Sequence, residues 1–258
     1  GVFVADLCFF AEKIPVKGET VLGKNHIIGP GGKGSNQAIA AARLGGNVNF
    51  ITKIGKDQNA RMALKLYEEA GINTGSIIQD PNQSTGVAGI MINEKTGDNA
   101  INIVPGAAGS ISNEDIDNNI DFIKQSEIFL TQLETPNEVT SYALNRAKET
   151  GSVTIFNPAP ASDIKESDFK CIDYFTPNET QASFYLDKKI NEILNKNIKC
   201  YSSSCNCVKN HCWCTNVTSK ICYEISIKFR VFLTEIITNA NNKKNRKNNF
   251  KNFNINFH

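Results

Sequence analysis

The amino-acid sequence predicts an α/β fold built on an open, mostly parallel sheet, and two patterns point there. From residue 112 to residue 180, short apolar runs alternate with helix-patterned stretches, the spacing of strand–helix–strand units. Asp6, Glu134 and Asn178 fall at predicted strand ends, and a glycine-rich turn precedes a predicted helix. Open α/β sheets bind their ligands at such positions. Any one of these polar residues alone reads as an exposed loop residue, but together they describe a cleft.

Residues 1–7 read as the end of a buried strand, with Asp6 at its C-terminal edge, where a carboxylate is tolerable and useful. Residues 21–28 read as a second strand. Then comes Gly29-Pro30-Gly31-Gly32-Lys33-Gly34, with four glycines in six positions, so that backbone can turn tightly and approach a ligand. Lys33 places charge beside clustered N–H groups, which suits a polyol or an anion. The spacing is not that of a Walker loop, and a plain glycine turn before a helix is the competing reading. Ser35 and Asn36 open a helix of small residues over 38–44. Residues 47–53 read as a strand. Asp57 caps a helix that carries Ala60, Leu64 and Tyr67 on one face and ends at Gly71. Two strands at 85–92 and 100–104 are joined by a polar loop over 93–99.

Ser112 and Asp115 have the capping-box spacing, opening a helix that reaches about Ile123. A short strand at 128–130 ends in Gln132-Leu133-Glu134. Thr135-Pro136-Asn137-Glu138 combines an N-cap, a proline at the first helical position and a glutamate at the third. The helix it predicts stops at Gly151. A strand at 153–156 leads to Asn157-Pro158-Ala159-Pro160, and residues 174–176 lead to Pro177-Asn178-Glu179-Thr180.

At 258 residues the chain has enough length for one large or two small domains. A formal charge of +2 argues against nucleic acid as a partner. No apolar run reaches the length of a membrane span and no leader is visible, which predicts a cytoplasmic protein without membrane contact. Gly1 stands where an initiator methionine would, so a processed or truncated chain is expected. Cys8 and Cys171 stand alone, whereas six cysteines crowd between Cys200 and Cys222. Two compositional regimes follow, residues 1–187 and residues 188–258.

The first regime carries motifs in a recognisable order: Asp6-Leu7, PVKGET from Pro15, GGKGSNQAIAAARL from Gly31, KIGKD from Lys53, Gln132-Leu133-Glu134, FNPAP from Phe156 and PNET from Pro177. Over residues 1–187 the chain resembles the ribokinase family of ATP-dependent carbohydrate and nucleoside kinases. That resemblance implies a three-layer sandwich with a central, mostly parallel sheet and a small β lid near residues 15–28 and 85–104, here truncated at both ends. It implies transfer of phosphate from ATP to the primary hydroxyl of D-ribose, with Mg²⁺ and K⁺ as cofactors and a homodimer formed through the lid. It makes Asp6 the acceptor of two sugar hydroxyls, and Gly31, Gly32 and Lys33 the loop packed on the sugar. Asn36 becomes a side-chain contact to the same hydroxyls, Glu134 the carboxylate closing the pocket, and Asn178 a residue near the ATP phosphates. The family's NxxE motif has Gln181 at its fourth position here, which removes a charge that attracts hard cations.

The second regime departs from the family. No GAGD box, the source of the anion hole and the catalytic aspartate, occurs downstream of Asn178, so no catalytic residue is assigned and this chain is expected to be inactive. Cys205-Asn206-Cys207 and His211-Cys212-Trp213-Cys214 carry zinc-type ligands, but not at the spacing of common zinc knuckles, and no metal site is assigned. Nine asparagines lie in residues 239–258, a bias that need not form a packed core. A translated non-coding segment, a divergent folded tail and a metal site are the three readings of this stretch. For function, a ribokinase is weighed against a catalytically dead sugar-binding protein, and against kinases of another pentose or a nucleoside.

Overall fold

The computed structural model describes residues 1–186. The chain divides into two units, Gly1–Tyr174 and Phe175–His258. The cysteine-rich stretch and the asparagine-rich ending read from the sequence lie outside the described residues.

Strand β1 (Val4–Ala11) is the axis of the first unit. It pairs antiparallel with β2 (Asn25–Gly31) on one side, with Val4 opposite Gly31. On the other side it pairs in parallel with β5 (Thr85–Asn93), which continues antiparallel into β6 (Asn99–Gly106). The order is β2-β1-β5-β6. One end of this sheet is core: Val2, Val4, Ala88 and Ala108 pack together, all buried. Along its edge strands and towards the other end, the sheet leaves Phe9, Ile27, Ile28, Met91, Ile101, Ile103 and Val104 about half exposed.

Two expectations change here. Asp6 is not at a strand end, because Leu7-Cys8-Phe9-Phe10-Ala11 continues the ladder and keeps partners on both sides. It lies mid-strand, opposite Gly29 and Ala88, whose short side chains leave space beside the carboxylate. The second strand begins at Asn25 and takes in Gly29-Pro30-Gly31, which the sequence reading places in a turn. Pro30 is tolerated because β2 is an edge strand.

Helix α1 (Lys33–Arg43) follows at once and buries Gly34, Ser35, Ala38 and Ile39. It packs on α2 (Gln58–Ala70) through a core containing Phe3, Phe50, Ile54 and Tyr67. Tyr67 meets Phe3 and Phe50 edge-on, at centroid distances of 6.2 and 5.4 Å, and its hydroxyl donates to Ser35 Oγ at 2.9 Å. Between the helices, β3 (Thr52–Ile54) pairs in parallel with β4 (Ile77–Gln79). Three-residue β4 carries too little pattern to be read from sequence.

Asp57 caps α2 as expected, accepting from Ala60 N at 2.9 Å, and Gly71 ends the helix in the left-handed region. Its other oxygen accepts from Thr85 N at 2.7 Å, tying the start of β5 to the cap. Desolvation pushes the Asp57 pKa up, but the hydrogen bonds from Ala60 and Thr85 outweigh it and hold the carboxyl below its usual range. A depressed folded-state pKa stabilises above the unfolded value and is lost as pH falls through the folded one. Asp57→Ala is therefore expected to cost about 1–3 kcal/mol near neutral pH, read by urea unfolding, and to flatten the acid limb of the stability curve.

The capping box at Ser112 and Asp115 is present, with Asp115 N donating to Ser112 Oγ at 3.1 Å and Ser112 N to Asp115 Oδ2 at 2.9 Å. The single predicted helix is nevertheless two, α3 (Asn113–Asp117) and α4 (Ile120–Lys124). Buried Asn119 takes the Asp115 carbonyl with its side-chain amide at 2.8 Å, replacing the backbone bond that would continue the helix. Strand β7 (Ile128–Thr131) and β8 (Val153–Phe156) pair in parallel around α5 (Asn137–Glu149). Pro136 keeps an extended ψ of 131°, so α5 starts one residue later than the sequence suggests. Thr135, the expected cap, bonds Thr140 Oγ1 at 2.8 Å instead.

Strand β9 (Tyr174–Phe175) marks the boundary of the two units. In the second unit α6 (Glu179–Leu186) is opened by a reciprocal cap. Gln181 N donates to Asn178 Oδ1 and Asn178 N to Gln181 Oε1, both at 2.9 Å.

Candidate functional site

The first unit brings five of the expected site residues together: Asp6, Gly31, Gly32, Lys33 and Glu134. β1 carries Asp6, and β2 runs antiparallel to it so that Gly29 is its partner and Gly31 lies beside its side chain. A Cβ on Gly31 would overlap the Asp6 carboxyl carbon and both of its oxygens. The next residue, Gly32, has φ 91° and a Cβ there would overlap the Val2 carbonyl. Glycine is thus required at both positions, at one by the side chain it faces and at the other by backbone geometry. The Asp6 carboxylate accepts no hydrogen bond among the described residues. Its pKa is raised, first by desolvation and then by the nearby Glu134 charge, with Lys33 pulling it back. Cys8, two residues along the same face of β1, has its thiol pushed up by burial and by Asp6.

Lys33 opens α1 and is held twice by Glu134. Its backbone N–H donates to Glu134 Oε2 at 2.7 Å and its ammonium to Oε1 at 2.6 Å. The Glu134 side chain is 13% exposed and that of Lys33 43%, so the carboxylate is the more buried partner. Glu134 arrives from beyond the end of β7, on a segment pinned in place. Leu133 N donates to Ala159 O at 3.1 Å and Asn157 N to Thr131 O at 2.9 Å, which explains why the FNPAP run and the Gln132-Leu133-Glu134 run belong together. Gln132 also bonds Gln37 on α1 through their side-chain amides. The Gln132–Gln37 bridge and Cys8 are neighbours of the site that the sequence reading did not single out. The alternation of β1 would have placed Cys8 on the face of Asp6.

Asn36 lies in the first turn of α1, with its backbone N–H bonded to Gly32 O at 2.9 Å and its side chain exposed. Asn178 and Gln181, in the second unit, use their side-chain oxygens to cap α6. Neutral amides engaged in this way do not fit a Mg²⁺ site, which favours carboxylate oxygens. Among the described residues no cluster of three or more His, Cys, Asp or Glu could hold a metal ion. None of the described helices is long and apolar enough to cross a membrane.

Residues 1–203 match the pfkB family of carbohydrate kinases. The chain belongs to that family. Similar proteins include a ribokinase of Haemophilus influenzae, 39% identical over 165 residues, covering 64% of this chain and 54% of that protein. A deoxyribokinase of Salmonella typhi is 37% identical over 182 residues, covering 70% of this chain and 59% of that protein. Among solved structures, a ribokinase of Arabidopsis thaliana complexed with ribose and ATP matches with a TM-score of 0.66 at 26% identity, over 76% of this chain and 66% of that one. The pfkB-family chain thus spans little more than half the length of these curated relatives. The α/β sandwich with a mostly parallel sheet expected from the sequence is the fold observed, with antiparallel pairs among the parallel ones. Its parallel pairs are β1–β5, β3–β4 and β7–β8, and its antiparallel pairs β1–β2 and β5–β6.

Proposed function

We propose that the natural protein phosphorylates a pentose, D-ribose first, and that the first unit supplies its sugar pocket. The observation that carries this reading is the unpartnered Asp6 carboxylate, set against side-chain-free Gly31 and beside the Lys33–Glu134 pair. An ionised carboxylate with free lone pairs accepts hydrogen bonds from two adjacent hydroxyls. The bare Gly31 position accommodates the Asp6 carboxylate, and the exposed Asn36 amide offers a donor and an acceptor at the edge of the same loop. Glu134 bounds the opposite side.

In the overall reaction the primary hydroxyl of the sugar attacks the γ-phosphorus of ATP; a P–O bond forms to the sugar, the bond to ADP breaks, and the hydroxyl proton is released. The described residues do the first part of this work, holding and orienting the sugar. ATP, Mg²⁺ and K⁺ as co-reactant and cofactors, a role for Asn178 near the nucleotide and a cytoplasmic location belong to the same proposal by family. The half-exposed apolar residues of the four-stranded sheet suit its use as a lid and as the contact between two subunits. The second reading is a sugar-binding protein without phosphoryl transfer, favoured by the lack of a GAGD box in this sequence.

Two assays on the same 258-residue chain separate the readings. Calorimetric titration is expected to show ribose binding. Coupled ADP release with ribose and ATP is expected to stay at background, and ribose-dependent turnover would show that a complete transfer centre is present. Titration of 2-deoxyribose beside ribose measures the one-hydroxyl choice that distinguishes the two named relatives.

A further inference from the structure

Glu134 is expected to line the sugar pocket, yet its geometry gives it a second task. Each of its oxygens already accepts a hydrogen bond from Lys33, one from the backbone and one from the ammonium. The backbone bond fixes the first residue of α1, immediately after Gly31 and Gly32. A single side chain, 101 residues along the chain, thereby sets where the glycine segment lies against Asp6. Building on the pocket reading above, we propose that Glu134 is a positioning residue that holds the glycine loop, and that the Lys33–Glu134 pair sets the pH range over which Asp6 accepts sugar hydroxyls.

The charges around Asp6 are few. Its β2 partner Gly29, the neighbouring Gly31 and its β5 partner Ala88 carry none. On its own strand Cys8 is the titratable neighbour. From α1 comes Lys33, and from beyond β7 comes Glu134. The Gly1 amino group also lies within electrostatic reach of Glu134 and donates to Ile51 O at 2.9 Å. Sugar binding needs Asp6 ionised, so affinity falls on acidification as Asp6 takes up a proton. Removing the negative charge of Glu134 favours ionised Asp6, and removing the positive charge of Lys33 disfavours it. The two partners of one ion pair must therefore move the binding curve in opposite directions. A pair that served only as a brace would weaken binding in both variants and move neither midpoint.

The test is ribose affinity measured by calorimetry across the acid range for the wild-type chain, Glu134→Gln and Lys33→Met. Gln keeps the shape of Glu134 and can still accept the Lys33 backbone N–H. Met keeps the length of Lys33 and leaves that backbone bond intact. The expected result is a midpoint for loss of binding at lower pH in E134Q and at higher pH in K33M. Midpoints that stay with the wild type, or move together, overturn the proposal. If E134Q does not fold, K33M still decides, because the exposed Lys33 ammonium can be removed without emptying the core. Absence of ribose binding in the wild type at every pH would instead refute the pocket reading itself.

Discussion

Asp6→Ala is expected to abolish measurable ribose binding while leaving the fold intact. The carboxylate has no hydrogen-bond partner among the described residues, so alanine orphans no group in the unliganded protein. With sugar present it would lose two charge-assisted hydrogen bonds, each contributing about 1.5–3 kcal/mol. Their sum corresponds to at least about a hundredfold loss of affinity. The same reasoning gives the unliganded variant an opposite sign in stability. Desolvation and Glu134 raise the folded-state pKa of Asp6, so ionised Asp6 destabilises the folded chain above that pKa, and the penalty fades as pH falls through it. Asp6→Asn should thus melt above the wild type at neutral pH and converge with it in acid. Thermal melts on the two proteins at both pH values check this, and a lower melting temperature for D6N at neutral pH would mean that Asp6 serves the fold rather than a ligand.

Gly32→Ala should be the most destabilising single change in the loop, by about 3 kcal/mol or more. Two costs combine: φ 91° is a conformation that L side chains rarely adopt, and the new Cβ would overlap the Val2 carbonyl. Val2 cannot yield easily, since it is 2% exposed and its carbonyl also accepts the Ser35 N–H at 3.1 Å. Urea unfolding measures the loss. Gly32 joins the last residue of β2 to the first of α1, so the strain falls on the connection that places Lys33 against Glu134. A cost under 1 kcal/mol would mean that this junction can relax, and that the glycine loop is less fixed than the geometry implies.

Much of the fold was legible because local chemistry and tertiary structure agree. Asp57, Ser112 and Gly71 each do what their residue types favour at a helix end. The reading failed where a distant partner decides. Asp6 reads as a strand end only if β1 stops, and what keeps β1 going is pairing with β2 and β5, which its own residues do not announce. Asn119 splits a helix through one side-chain bond that periodicity cannot register. Pro136 leaves Thr135 free to bond Thr140. For the site, glycine spacing and motif order pointed to Asp6, the loop and Glu134, but not to their interplay. That both oxygens of Glu134 are taken by Lys33 is a fact of three-dimensional placement, invisible in a string where the two stand far apart.

The central claim is that a pentose is held by the Asp6 carboxylate beside the glycine segment at the start of α1. A crystal structure of this chain grown with D-ribose tests it most directly. The account predicts sugar density with two hydroxyls within hydrogen-bond distance of the Asp6 carboxylate and the ring beside the glycine segment. Ribose bound at another place, or a filled wall of side chains between Asp6 and Lys33, would contradict it.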